Sequence, residues 1–139
     1  MTGGGMKRIA FAGVCLLALS LDARAQNGPY LFDLLKRPAY RQAWNAALSG
    51  ADAPQWLTAF GRGGNGVATP SSTITIEGQT YEVASVCKPH DCGDNQFYAL
   101  FVRGGAKAWG LLQENGRPPR FFGAPSPAQR AALIKAQAE

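Results

Sequence analysis

The chain has 139 residues, nearly half of them hydrophobic, and a formal net charge of +5 at neutral pH. This length supports one domain around one hydrophobic core and is too short for two. The basic residues are scattered among glycines and prolines, so the electrostatic pattern of a nucleic-acid-binding protein is missing. The composition therefore indicates a single small globular domain without a nucleic-acid partner.

The N-terminal segment has three features of an export signal. Lys7 and Arg8 supply a basic start, residues 9–21 form an apolar run, and Ala23 and Ala25 give the small-x-small pattern of a cleavage site. The apolar run is shorter than the roughly 20 residues that a transmembrane helix needs, and no second run of that length follows. We expect cleavage after Ala25 and no membrane association afterwards.

Removal of this segment changes the charge and the cysteine count. Residues 1–25 carry a net charge of +2, which leaves about +3 on the predicted domain at residues 26–139. Cys15 lies in the apolar run, so a lipoprotein acylated at this cysteine is an alternative, although Val14 is not the small residue expected before such a site. The two remaining cysteines predict one disulfide in an exported protein.

Helices are predicted in the first third of the mature chain. Residues 31–35 are apolar and typical of a short helix. Pro38 suits the first turn of the next helix, and Tyr40, Trp44 and Leu48 then recur every four residues on one face.

A further short helix is predicted at residues 53–60. Asp52 and Gln55 have the spacing of a capping box, which would place the helix start at Ala53. Trp56 and Phe60 then lie on one apolar side. We expect the tryptophans of this chain to belong to the core more than to a ligand platform.

The hydrophobic period changes to two after a glycine-rich loop at residues 61–72. Residues 73–76 and 81–83 flank a glycine-containing turn and predict a β-hairpin. Further strands are expected at residues 97–102, 109–112 and 120–122. These segments predict an antiparallel meander of four or five strands.

The C-terminal segment predicts one more helix. Ser126 can cap it, Pro127 suits its first turn, and Gln129 completes the reciprocal bond of a capping box. Leu133 and Ile134 offer a modest apolar face for docking on the sheet. The predicted fold is therefore α+β, with helices packed on one face of the sheet.

Two cysteines bracket the only histidine of the chain, in the hexapeptide Cys87-Lys88-Pro89-His90-Asp91-Cys92. This hexapeptide resembles the signature of the Ivy family, the periplasmic inhibitors of vertebrate (c-type) lysozyme. The similarity also covers Phe32, Trp44, Pro54, Trp56, residues 78–81 and Gly123. The resemblance implies a protruding, disulfide-closed loop that plugs the lysozyme cleft and places His90 between the two catalytic carboxylates.

The chemistry of the loop agrees with that implication. A Cys87–Cys92 bridge and the fixed backbone angle of Pro89 would leave little to order on binding. The His90 imidazole can donate to one carboxylate and, depending on its protonation, accept from or donate to the other. Asp91 is a second candidate contact, and Lys88 either braces the loop or touches the rim of the cleft.

The same residues suit several other roles less well. The disulfide alone would also suit a structural staple. A cysteine, histidine and aspartate packed this tightly do not suit a tetrahedral metal site, and the four-residue spacing differs from that of thiol oxidoreductases. No nucleophile has a base in evident reach. We therefore expect no enzyme activity, no metal and no cofactor.

Two other functions remain open from the sequence. The domain would also suit a peptidoglycan- or carbohydrate-binding module, or a regulator of the murein-cleaving lytic enzymes of the cell that makes it. Residues 113–120 form a shorter segment than the family pattern implies, which leaves any dimer contact built on it open. The sequence assigns no oligomeric state.

Overall fold

The computed structural model describes Gly3 and residues 28–139. Gly3 aside, the predicted signal peptide at residues 1–25 and the acylation alternative at Cys15 lie outside the described residues. The helices are Leu31–Leu34 (α1), Pro38–Leu48 (α2), Gln55–Phe60 (α3) and Pro127–Ala138 (α4). The strands are Val67–Ala68 (β1), Ser72–Ile76 (β2), Gln79–Cys87 (β3), Asn95–Val102 (β4), Ala108–Glu114 (β5) and Arg120–Phe122 (β6). The predicted α+β class is confirmed.

All strand pairs of the sheet are antiparallel, in the order β1-β3-β4-β5-β6, and β2 also pairs with β3. The predicted hairpin joins β2 to β3 through Glu77 and Gly78, whose φ angles are 51° and 79°. Two consecutive positive φ angles are typical of the tight turns that match the twist of a hairpin. The sheet has six strands, one more than the four or five predicted, because the two-residue strand β1 lies inside the segment predicted as a loop.

The first three helices cover one face of the sheet. Leu31 of α1, Trp44 of α2 and Leu57 of α3 are buried in one cluster with Phe97 and Phe101 of β4. Successive side chains of a strand point to opposite faces, so Leu100 of β4 points away from this cluster.

Helix α4 covers the opposite face. Leu133 is fully buried there beside Tyr81, Leu100, Trp109 and Leu111. The prediction of helices on one face therefore holds for α1–α3, whereas α4 lies on the other side. Strand β4 is apolar on both faces, and each face needs a cover to exclude water from it.

The predicted capping box at the start of α3 is wrong. Helix α3 begins at Gln55 with Pro54 at the N-cap, and no side chain caps it. The ring of Pro54 disfavours helical backbone at the preceding residue, Ala53, so the helix cannot begin where Asp52 would cap it.

The predicted capping box of α4 is confirmed. The Ser126 N–H donates to Gln129 Oε1 at 2.8 Å, and the Gln129 N–H donates to Ser126 Oγ at 3.2 Å. Gln129 Nε2 also donates to the Tyr81 hydroxyl at 3.2 Å, which ties the helix to β3. Ile134 is 53% exposed, because Gln129 and Leu133 form the inner face and the next residue turns away from it. No helix within the described residues is long and apolar enough to cross a membrane.

Candidate functional site

The hexapeptide lies where the two central strands of the sheet meet. Strand β3 ends at Cys87 and β4 begins at Asn95, so residues 88–94 connect neighbouring antiparallel strands. Cys87 is paired with Gln96 of β4 on one side and with Val67 of β1 on the other. The base of the loop therefore belongs to the sheet.

A disulfide closes the loop, as the sequence predicted. Cys87 and Cys92 are bonded, with their Cα atoms 4.8 Å apart. Inside the ring the Asp91 N–H donates to the Lys88 carbonyl at 3.1 Å, which forms a turn. The Lys88 N–H donates to the Asn95 carbonyl at 3.1 Å and extends the β3–β4 ladder into the loop.

Asparagine and glutamine side chains brace the base of the loop, a role that the sequence analysis missed. Asn95 Nδ2 donates to Asp91 Oδ2 at 2.8 Å, and the Asn95 N–H donates to the Asp91 carbonyl at 3.1 Å. Gln96 Nε2 donates to the Cys92 carbonyl at 2.8 Å. The spacing of four residues in each pair was the available signal, because a turn brings such residues together.

A second layer of contacts supports this brace. The Tyr98 hydroxyl donates to Gln96 Oε1, and burial raises the pKa of Tyr98 above its ordinary value of 10.0. The hydroxyl therefore keeps its proton, and its role as donor, at neutral pH. The Asn115 N–H donates to the Asp94 carbonyl at 2.8 Å, which fastens the far side of the loop to the β5–β6 turn.

His90 is the exposed residue at the tip of the ring, whereas Lys88, Pro89 and Asp91 are half-buried. Its φ angle is 64°, in the left-handed region that histidine adopts more often than most residues. The Cys87–Cys92 disulfide and the Lys88–Asp91 turn hold the backbone of His90 in this less common conformation, with the residue exposed to solvent.

The side chains on either side of His90 are partly engaged within the protein. Lys88 lines a shallow hollow with Pro54, Gln55, Trp56 and Ala59 of the α3 segment. This position beside the α3 segment is compatible with the bracing role for Lys88 that the sequence left open. Asp91 accepts the hydrogen bond from Asn95, so it helps to hold the loop whether or not it also touches a partner.

The three tryptophans belong to the hydrophobic core or pack against it, as expected. Trp44 and Trp109 are buried at 2% and 6% exposure, and Trp56 is half-buried against the cluster that contains Trp44. No group of three or more histidine, cysteine or carboxylate side chains in the described part of the chain is placed to hold a metal ion.

The fold and the loop define a class: a small α+β domain that presents a disulfide-closed loop with an exposed histidine between its two central strands. The family model of the inhibitor of vertebrate lysozyme (Ivy) matches residues 39–139, and the chain belongs to this family. It is 34% identical over 127 residues to the inhibitor of vertebrate lysozyme of Pseudomonas aeruginosa, which covers 81% of this chain and 80% of that protein. The Escherichia coli K12 protein of the same name is 31% identical over 112 residues, covering 81% of this chain and 68% of that protein.

Proposed function

We propose that this protein inhibits c-type lysozyme by inserting the 87–92 loop into the active-site cleft of the enzyme. The observation that carries the proposal is the exposed His90 at the tip of a loop fixed by a disulfide, a turn and the Asn95 brace. Family membership and the names of the two relatives support lysozyme as the target. The inhibitor performs no chemistry of its own in this account.

The catalytic groups of lysozyme explain why an imidazole suits the cleft. One is a glutamic acid whose pKa is raised to about 6, and the other is an ionised aspartate. The His90 imidazole can donate to the aspartate while it accepts from the protonated glutamic acid, or donate to both when it is charged. Either arrangement occupies the place where the scissile sugar must lie, so inhibition is competitive.

Rigidity of the loop supports tight binding. Ordering one backbone residue costs about 1 kcal/mol or more, and a free loop would lose that energy at each of residues 88–91 on entering the cleft. In this protein most of that cost is already met on folding, because the ring is closed and its base is bonded to β4.

We further propose that the protein acts in the periplasm. The predicted signal peptide at residues 1–25 supports export, and the Cys87–Cys92 bridge suits an oxidising compartment. A lysozyme that has crossed the outer membrane would meet the inhibitor there, before it reaches the peptidoglycan.

Kinetics with hen lysozyme test the proposal. Cell-wall clearance is followed at several substrate and inhibitor concentrations, and the protein should raise the apparent KM without lowering kcat. Inhibition that lowers kcat at unchanged KM would contradict insertion into the cleft. Absence of inhibition would refute the function itself and leave the two functions kept open from the sequence.

A further inference from the structure

A second surface, away from the loop tip, has the chemistry of a binding site. We call it the basic hollow. It is an open depression of about 340 Å³, within the range of small-ligand sites, about 300–1,000 Å³. Its lining includes three cationic side chains, an exposed aromatic ring and the glycine-rich segment after α3: Lys36, Arg41, Arg62, Phe32 and residues 61–64.

The charges of the basic hollow are largely uncompensated. Arg41 and Arg62 are exposed and make no ion pair within residues 28–139. Lys36 is paired with Asp33 at 2.7 Å, and both side chains of that pair are largely exposed. No acidic residue lines the depression itself. Two guanidinium groups so placed suit the bidentate recognition of carboxylates.

An apolar rim borders these charges. The rings of Tyr30 and Phe32 are stacked with their centroids 5.2 Å apart, and each residue is 45% exposed. Lys36 Nζ lies over the Phe32 ring, 5.6 Å from its centroid, so this cation and the Tyr30 ring each cover part of Phe32. The two rings together offer an exposed apolar surface next to the cations of the basic hollow.

Packing beneath the hollow gives it a defined shape. Gly61 is buried against the Trp44 indole, and a Cβ at this position would lie 2.4 Å from Trp44 Nε1. A Cβ at Gly64 would lie 2.7 Å from the Ala59 carbonyl oxygen. The glycines therefore let this wall pack closely on α2 and α3.

We propose that the basic hollow binds a glycan that carries carboxylates, of the kind that peptidoglycan strands present. Sugar C–H groups would pack on the exposed parts of Tyr30 and Phe32, and carboxylates on the same strand would meet Arg41 and Arg62. An extended nucleic acid would need a longer basic stripe than these three cations provide. An acidic protein would need about 800 Å² of surface on each partner, which one depression does not supply.

Helix α3 lies between the two surfaces: Trp56 and Ala59 line the depression beside Lys88, and Phe60 lines the basic hollow. Glycan binding would hold the inhibitor on the polymer that lysozyme attacks. The proposal goes beyond the proposed inhibition, which only guides the choice of glycan.

Co-sedimentation of the purified protein with insoluble peptidoglycan, without lysozyme, tests the inference. The protein should sediment, and less so as salt rises from 50 to 500 mM. Arg41→Glu with Arg62→Glu should weaken binding roughly tenfold. Lys135→Glu, a charge reversal on α4 across the sheet, should not. Phe32→Ala should weaken binding severalfold, whereas Ile134→Ala, which removes an equally exposed apolar side chain, should not.

Three results would overturn the inference. The first is equal binding of the double arginine variant and the wild type to peptidoglycan. The others are that the wild type binds uncharged chitin, or an oligonucleotide, as strongly as it binds peptidoglycan. Circular dichroism checks that each variant is folded. The double arginine variant should still inhibit lysozyme, and His90→Ala should still sediment with peptidoglycan. Loss of one activity with retention of the other shows which of the two proposals has failed.

Discussion

Replacement of Cys87 and Cys92 by alanine separates the contribution of the disulfide to folding from its contribution to binding. The bonded residues are 5 positions apart, so the ring holds six residues. The loop-closure entropy of such a short ring corresponds to about 2 kcal/mol of unfolding free energy. Proteins of this size are commonly stable by more than that, so the variant should remain folded.

The effect on inhibition has a different source. Without the bridge, residues 88–91 regain backbone freedom in the unbound protein, at about 1 kcal/mol each. The Lys88–Asn95 and Asp91–Asn95 hydrogen bonds retain part of the order. A net loss of about 1–3 kcal/mol is expected, which raises the inhibition constant about 5- to 150-fold.

Urea unfolding, followed by tryptophan fluorescence, and titration of lysozyme activity measure the two effects on one preparation. Ser126→Ala is the matched control. It removes the cap of α4 and costs about 1 kcal/mol of stability on the far side of the sheet, with no change in the inhibition constant. If the variant with Cys87 and Cys92 replaced by alanine were less stable yet inhibited as well as the wild type, the argument that a rigid ring supports binding would be refuted.

Two further outcomes concern pH. In the complex, the ionised aspartate of lysozyme favours the charged imidazole of His90, so inhibition should strengthen as the pH falls from 8 to about 6. Inhibition should weaken again at lower pH, where the carboxylates of lysozyme become protonated. Inhibition that does not vary with pH, in the wild type and in His90→Gln alike, would exclude a charged imidazole. Burial is the largest cause that raises the pKa of Tyr40 above 10.0, and the hydrogen bond to Glu82 is the next. Protonated Tyr40 therefore stabilises the fold below about pH 10, and this part of the unfolding free energy should be lost as the pH rises through the pKa of Tyr40 in the folded protein. Tyr40→Phe should lower the unfolding free energy by about 1–3 kcal/mol at pH 7, because Glu82 and the Gly104 N–H lose their hydrogen-bond partner. The variant should also lose less stability than the wild type at alkaline pH. An unchanged dependence of its unfolding free energy on alkaline pH would show that Tyr40 is not the group responsible.

Local signals in the sequence were sufficient for elements whose determinants are neighbours in the chain. The Ser126–Gln129 box depends on residues three apart, and the Glu77–Gly78 turn depends on a glycine between alternating strands. The box assigned to Asp52 had the same spacing but was wrong, because Pro54 restricts the residue before it. A spacing rule therefore fails where a nearby proline opposes it.

Features that depend on distant residues could not be predicted in this way. The side of the sheet that α4 covers follows from the apolar pattern of both faces of β4, a requirement of the whole sheet. The basic hollow combines Lys36, Arg41 and Arg62, which belong to different segments and looked scattered in the sequence. The six loop residues were identified only because their order resembles a known family signature.

The inhibition constant of two His90 variants tests the central claim most directly. His90→Ala removes the imidazole, and His90→Asn does so with a residue that accepts the observed φ of 64°. The loss of charge-assisted hydrogen bonds should raise the inhibition constant about 10- to 150-fold in both variants. The unfolding free energy of His90→Asn should stay within about 0.5 kcal/mol of the wild type, whereas that of His90→Ala should fall by about 1 kcal/mol because alanine adopts this φ less readily. Folded variants that inhibit lysozyme as strongly as the wild type would contradict the claim that His90 blocks the catalytic cleft.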